Sequence, residues 1–183
     1  QNQTISSYRA DQTLISFFGR ASYDYKQKIL LNLTMRADGA SQFGENDKWG
    51  NFPSISAAWR ISEEGFLQNA EFLNELKVRV SYGITGNNGF SPYTSLARVG
   101  ATGKYTFDGS TSTPGLGSDG EFAPNPDLKW ESTKMFNVGL DFGLFNSRLF
   151  GTFEVYNTNT EDLIIDKPLS SPSTGFKYMR ANV

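Results

Sequence analysis

The chain is 183 residues long, 38% hydrophobic and 14% aromatic, with 18 Gly, no Cys and no His. Seventeen Lys and Arg against nineteen Asp and Glu leave a net charge of −2, with no basic excess to neutralise a phosphate backbone, so nucleic-acid binding is not expected. The missing Cys and His remove thiol nucleophiles, disulfides, Cys/His zinc sites and imidazole general bases, and no apolar run approaches the roughly 20 residues of a membrane-crossing helix.

Alternation with period two runs through the chain and predicts strands. In residues 12–25, Ile15, Phe17, Ala21 and Tyr23 oppose Ser16, Arg20, Ser22 and Asp24. In 28–38, Ile29, Leu31, Leu33 and Met35 oppose Asn32, Thr34 and Arg36. In 52–62, Ile55, Ala57, Trp59 and Ile61 oppose Ser54, Ser56, Ala58 and Arg60. In 74–86, Leu76, Val78, Val80, Tyr82 and Ile84 oppose Lys77, Arg79, Ser81, Gly83 and Thr85. In 130–144, Phe136, Val138, Leu140 and Phe142 oppose Asn137, Gly139 and Asp141; in 148–162, Leu149, Phe153 and Val155 oppose Thr152, Glu154 and Tyr156. A further strand is expected near Phe176. These runs are long: ordinary strands have about 5–6 residues, whereas bilayer-crossing strands need about 9–11 plus overhang.

The connections alternate in length. Lys26-Gln27 and residues 145–147 read as tight turns. Residues 39–51 and 87–129 read as long polar loops, the second holding short strands near 93–99 and 104–107. Residues 62–74 form a medium connector with one helical turn near 63–67. Long loops at one end and short links at the other match the asymmetry of outer-membrane barrels.

The apolar faces carry almost no charge. Their opposites hold Arg36, Arg60, Arg79, Asp141 and Glu154, which are the candidates for contact with a ligand in a polar lumen. Tyr93, Tyr105 and Phe107 in the long loop are candidate stacking platforms. Pairing of the lumen charges with one another, or with a plug, explains the same residues. Tyr23, Tyr25, Trp49, Phe52, Trp130 and Tyr156 lie near strand ends and are expected as interfacial girdles. Glu45, Asn46 and Asp47 lack the spacing of a calcium loop, and Glu63-Glu64 has no base, metal or nucleophile beside it; neither a metal site nor a catalytic residue is assigned. The fold expected is all-β: part of a large antiparallel transmembrane β-barrel of about six to eight long strands in meander order. A soluble β-sandwich that binds glycans is the alternative; it explains the alternation but not the strand lengths.

Several motifs are familiar. Arg36-Ala37-Asp38-Gly39-Ala40-Ser41-Gln42-Phe43-Gly44 leads into Trp49-Gly50-Asn51-Phe52-Pro53-Ser54 and on to Trp59-Arg60-Ile61-Ser62-Glu63-Glu64. Leu76-Lys77-Val78-Arg79-Val80-Ser81-Tyr82-Gly83, Asn125-Pro126-Asp127-Leu128-Lys129-Trp130-Glu131 and Gly139-Leu140-Asp141-Phe142-Gly143 follow. Over nearly the whole chain this resembles the barrel of SusC/RagA-type TonB-linked outer-membrane transporters of Bacteroidetes. The resemblance implies a barrel of about 22 strands around a plug. It implies import of oligosaccharide or peptide cargo without enzymatic chemistry and without a cofactor. It also implies a SusD-like surface lipoprotein and TonB as partners, outer-membrane lipid as solvent, and the cell outer membrane as the location. Residues 1–183 then form a partial barrel, with plug, TonB box and terminal strands outside it.

Overall fold

The computed structural model describes residues 11–183 apart from 68, 69, 71, 94, 97, 107, 108, 110, 111 and 119; of 99–105 and 112–116 it describes the backbone. Six long strands form one antiparallel sheet: β1 (Leu14–Tyr25), β2 (Ile29–Ala40), β3 (Trp49–Arg60), β4 (Leu73–Asn87), β8 (Glu131–Leu144) and β9 (Leu149–Glu161). Each pairs with the next in the chain, apart from the excursion between β4 and β8. Within that excursion β5 (Val99–Thr106) pairs with β6 (Ser112–Ser118), and β7 (Phe122–Ala123) runs parallel to β11 (Tyr178–Asn182). Strand β11 also pairs antiparallel with β10 (Ile164–Pro168). A four-residue helix, α1 (Ser171–Thr174), joins β10 to β11.

The short turns are built locally. Lys26 and Gln27 take φ of 53° and 57°, the left-handed region that lets a short link match the twist of its strands. The Asp24 carboxylate accepts the Gln27 N–H at 2.7 Å and caps this turn. Phe145, Asn146 and Ser147 repeat the left-handed geometry between β8 and β9. The link after β3 opens with a 3-10 turn, Ile61–Glu63, and a second hydrogen-bonded turn follows where one is expected, with the Leu67 N–H on the Glu64 carbonyl at 3.0 Å.

Register sorts the faces. Tyr23, Leu31, Ala57, Val80, Val138 and Val155 form one row straight across all six strands. Tyr25, Ile29, Trp59, Val78, Leu140 and Phe153 form the next. Alternate apolar positions run from Phe136 to Leu144 in β8, about 27 Å along the strand at roughly 3.4 Å per residue. Among the described residues no second layer covers this face: Leu33 is 56% exposed and Phe153 65%. That rules against the sandwich, whose apolar face would be the most buried surface of the molecule.

The buried residues lie instead at the long-loop end. Ala40, Phe43, Phe52, Leu128 and Trp130 form a small core, with Ile84, Phe90 and Ile164 against it. Pairing of β3 to β4 stops at Ser54 and Gly83, and Phe52 packs over Gly86 beyond that point. Trp130 lies 4.5 Å from Phe43 and 5.4 Å from Phe52, centroid to centroid, and its indole N–H donates to the Lys48 carbonyl. Gly44 lies against the Pro126 carbonyl, where a Cβ would collide with backbone. The Asn125 side chain accepts the Asp127 N–H at 3.1 Å, the Asx turn that aims Leu128 and Trp130 into the core.

Phe52 and Trp130 therefore do not join an interfacial girdle, and Tyr156 lies on the charged face. Tyr23, Tyr25 and Trp49 do lie exposed on the apolar face. Trp49 stacks on Phe17 with centroids 6.0 Å apart and lies across Gly39. Only a residue without a side chain leaves room for that ring, which makes Gly39 part of the aromatic rim.

Candidate functional site

The face opposite the apolar rows holds a continuous charged network near the short-turn end. Lys77, Asp141 and Thr152 stand in one row across β4, β8 and β9; Arg79, Gly139 and Glu154 stand in the next. Gly139 presents no side chain, so the Arg79 guanidinium lies flat over it, 3.0 Å from where a Cβ would be. From there Arg79 makes a bidentate pair with Asp141, at 2.8 and 3.0 Å, and reaches Glu154 at 2.7 Å. Lys77 Nζ meets the same Asp141 carboxylate at 2.9 Å, and the Thr152 hydroxyl donates to it at 3.0 Å. Glu75 joins at the edge, 3.4 Å from Lys77 Nζ, so two cations and three carboxylates share one surface. Such a network is a polar wall whose charges satisfy one another.

The other expected residues are dispersed. Arg36 pairs with Asp38 on its own strand at 2.7 Å and lines a cleft of about 410 Å3 with Thr34, Ser54 and Thr85. Arg60 ends β3, half-buried, with its N–H on the Lys28 carbonyl. The Tyr93 hydroxyl accepts the Asp11 N–H at 3.1 Å. Tyr105 lies in β5 with its side chain outside the described set, and Phe107 lies outside the described residues. Among the described residues no group of three or more Asp and Glu is arranged to hold a metal ion.

Two features escape a reading of periodicity. Glu64 accepts Lys28 Nζ at 2.9 Å and the Trp59 indole N–H at 3.2 Å, fastening the apolar-face Trp59 at the short-turn rim. The Lys28 hydrogen bond, then that of Trp59, holds the Glu64 carboxyl below its ordinary value. At the other end Asp166 and Arg180 pair across β10 and β11 at 2.6 and 2.9 Å, which lowers the Asp166 pKa. The signal for Glu64 was its distance in sequence from Trp59; that for Asp166 lies in a pairing of two five-residue strands that no periodicity reveals.

A sheet of 12- to 15-residue antiparallel strands, apolar on one side and ion-paired on the other, is the wall of a large β-barrel. Residues 1–183 match the family model described as TonB dependent receptor-like, beta-barrel, and the chain belongs to that family. It is 39% identical over 186 residues to TonB-dependent receptor P26 of Formosa agariphila, a match covering 100% of this chain and 18% of that protein. It is 39% identical over 166 residues to TonB-dependent receptor SusC of Bacteroides thetaiotaomicron, covering 87% of this chain and 16% of SusC. Among solved structures, the RagAB peptide importer in its 'open-open' state aligns with a TM-score of 0.84 at 34% identity, over 95% of this chain and 18% of that one. The chain therefore spans less than a fifth of the length of these relatives.

Proposed function

We propose that residues 1–183 are a contiguous part of the barrel domain of a TonB-dependent nutrient importer of the outer membrane. The sheet's apolar rows face lipid, and the Lys77–Arg79–Asp141–Glu154 surface faces the lumen. The single observation that carries this reading is the six-stranded register, which lines up bare apolar rows on one face and the Lys77–Arg79–Asp141–Glu154 charges on the other. In hydrocarbon, each unpaired backbone N–H or C=O costs several kcal/mol, so β1 and β9 at the sheet's edges pair with neighbouring strands of the closed barrel.

The short turns then lie on the periplasmic side and the loop unit of β5–β7, β10 and β11 on the extracellular side. The cargo is an oligosaccharide or peptide, admitted past that loop unit, with a SusD-like surface lipoprotein over it and TonB supplying the energy. The similarity to SusC and to the RagAB peptide importer supports both the partner and the cargo classes. The wall itself binds, orients and excludes; no chemical step is assigned to it.

The test is uptake of fluorescent oligosaccharide and peptide libraries by cells carrying the full-length protein, with and without functional TonB. Uptake of at least one probe that disappears with TonB is expected. Equal uptake in both strains contradicts the reading.

A further inference from the structure

An open cleft of about 710 Å3 lies at the long-loop end, lined by Asn87, Asn88, Phe90, Glu131, Asp166 and Arg180 among others. Its two walls come from different elements. Asn87 and Glu131 are partners across β4 and β8, and Asp166 and Arg180 are partners across β10 and β11. The charges on these walls are not equivalent. Arg180 is committed to the bidentate Asp166 carboxylate, and its guanidinium lies 5.8 Å from the Phe90 ring and 5.3 Å from the Phe122 ring. Glu131 is held only by neutral donors: the Asn87 amide at 3.2 Å and the Ile164 N–H at 3.4 Å. Among the described residues no cation stands within ion-pair distance of Glu131. Among the described residues the three charged groups that line the cleft sum to one net negative charge.

Two long neutral hydrogen bonds leave a carboxylate with acceptor capacity, and its strongest complement is a charged donor. An anionic group entering the cleft would meet repulsion from Glu131 and Asp166, and Arg180 already donates to Asp166 through Nε and Nη2. The Asn87 side-chain carbonyl already accepts the Gly89 N–H at 3.0 Å and keeps one lone pair for a further proton of an ammonium group, and Asn88 lines the same cleft. We infer that Glu131 makes this cleft selective for ligands bearing a primary ammonium group over the same ligands with that group acylated. The inference rests on the importer reading, and an amino sugar and a peptide N-terminus supply the same chemistry.

The test is equilibrium binding to the full-length protein in detergent, with two pairs of probes. One pair is the trisaccharide of glucosamine against that of N-acetylglucosamine; the other is triglycine against N-acetyl-triglycine. In at least one pair the ammonium form is expected to bind about ten-fold tighter, the scale of one charge-assisted hydrogen bond. A preference in the sugar pair alone identifies the amino sugar as the source, and one in the peptide pair alone identifies the peptide. Glu131→Gln is expected to bring the ratio within about two-fold, since only the neutral hydrogen bonds remain. In the unaltered protein, raising salt from about 0.05 to 0.5 M is expected to shrink the ratio, which keeps the test independent of the variant's assembly. A ratio near one in both pairs, no binding of any probe, a ratio that survives Glu131→Gln, or a ratio indifferent to salt overturns the inference. TonB-dependent uptake is read separately, so an importer that prefers neutral cargo sinks this inference alone.

Discussion

Gly139 shows how a single position shapes the lumen wall. Its missing side chain leaves Arg79 room to bridge Asp141 on the neighbouring strand and Glu154 two strands away; a Cβ there would lie 3.0 Å from the guanidinium and push its tip aside. The charges of that cluster were legible from alternation; their assembly into one network was not, because it depends on register across three strands. Phe43 is the opposite case. It stands in a stretch that reads as polar loop, yet it is 2% exposed beneath Phe90 and Trp130. A lone aromatic carries no periodicity, and contacts distant in sequence, from Phe90, Leu128 and Trp130, bury it. Phe43→Ala is expected to cost about 3–5 kcal/mol locally, read as increased protease cleavage within residues 41–48 while the barrel stays assembled. Glu64 offers a pH test at the opposite rim. Its carboxyl is held below the ordinary 4.5, so the stabilisation is full above that value and is lost as pH falls through the depressed one. The emission difference between the full-length protein and its Trp59→Phe variant is expected to shift only below about pH 4.5, and Glu64→Gln to abolish the shift.

At the scale of elements, the six long strands fall close to where alternation places them, because each has one face against an apolar solvent and one against a polar wall. β3 starts at Trp49 rather than near Phe52, since pairing with β4 ends at Ser54 and the missing N–H of Pro53 breaks no bond on that side. β10 is invisible to periodicity: five residues ending in proline carry too little alternation. Besides the pairing of β11 with β7, one side-chain amide helps to seat β10 and β11. Asn182 accepts the Lys129 N–H at 3.0 Å and donates to the Lys129 and Asp162 carbonyls at 2.9 and 2.8 Å. It thereby ties the entry of β8, the exit of β9 and the end of β11, and Lys129 and Asp162 reinforce the joint with an ion pair at 2.9 Å. Asn182→Ala is expected to raise hydrogen exchange at Lys129 and along β10 and β11 by about five- to thirty-fold, the loss of about 1–2 kcal/mol of local protection. Exchange at the centre of β8 is expected to stay unchanged. Uniform acceleration across the sheet contradicts this clasp.

For the whole molecule the decisive quantity is the solvent of the apolar face. Residues 1–183 expressed alone present two long open edges and an uncovered sheet of Leu, Ile, Val and Phe, so they are expected to aggregate in water and to require detergent. In the full-length protein, Val80→Arg near the middle of the apolar band is expected to cost about 2–4 kcal/mol and to lower the amount assembled in the outer membrane. The facing itself is tested most directly by spin labels placed one at a time along β8, which natural cysteines of this chain do not complicate. With the full-length protein in a bilayer, labels at Phe136, Val138 and Leu140 are expected to relax with dissolved oxygen, and labels at Asn137, Gly139 and Asp141 with a water-soluble nickel chelate. No alternation between the two sets, or alternation in the opposite phase, would contradict a lipid-facing apolar sheet.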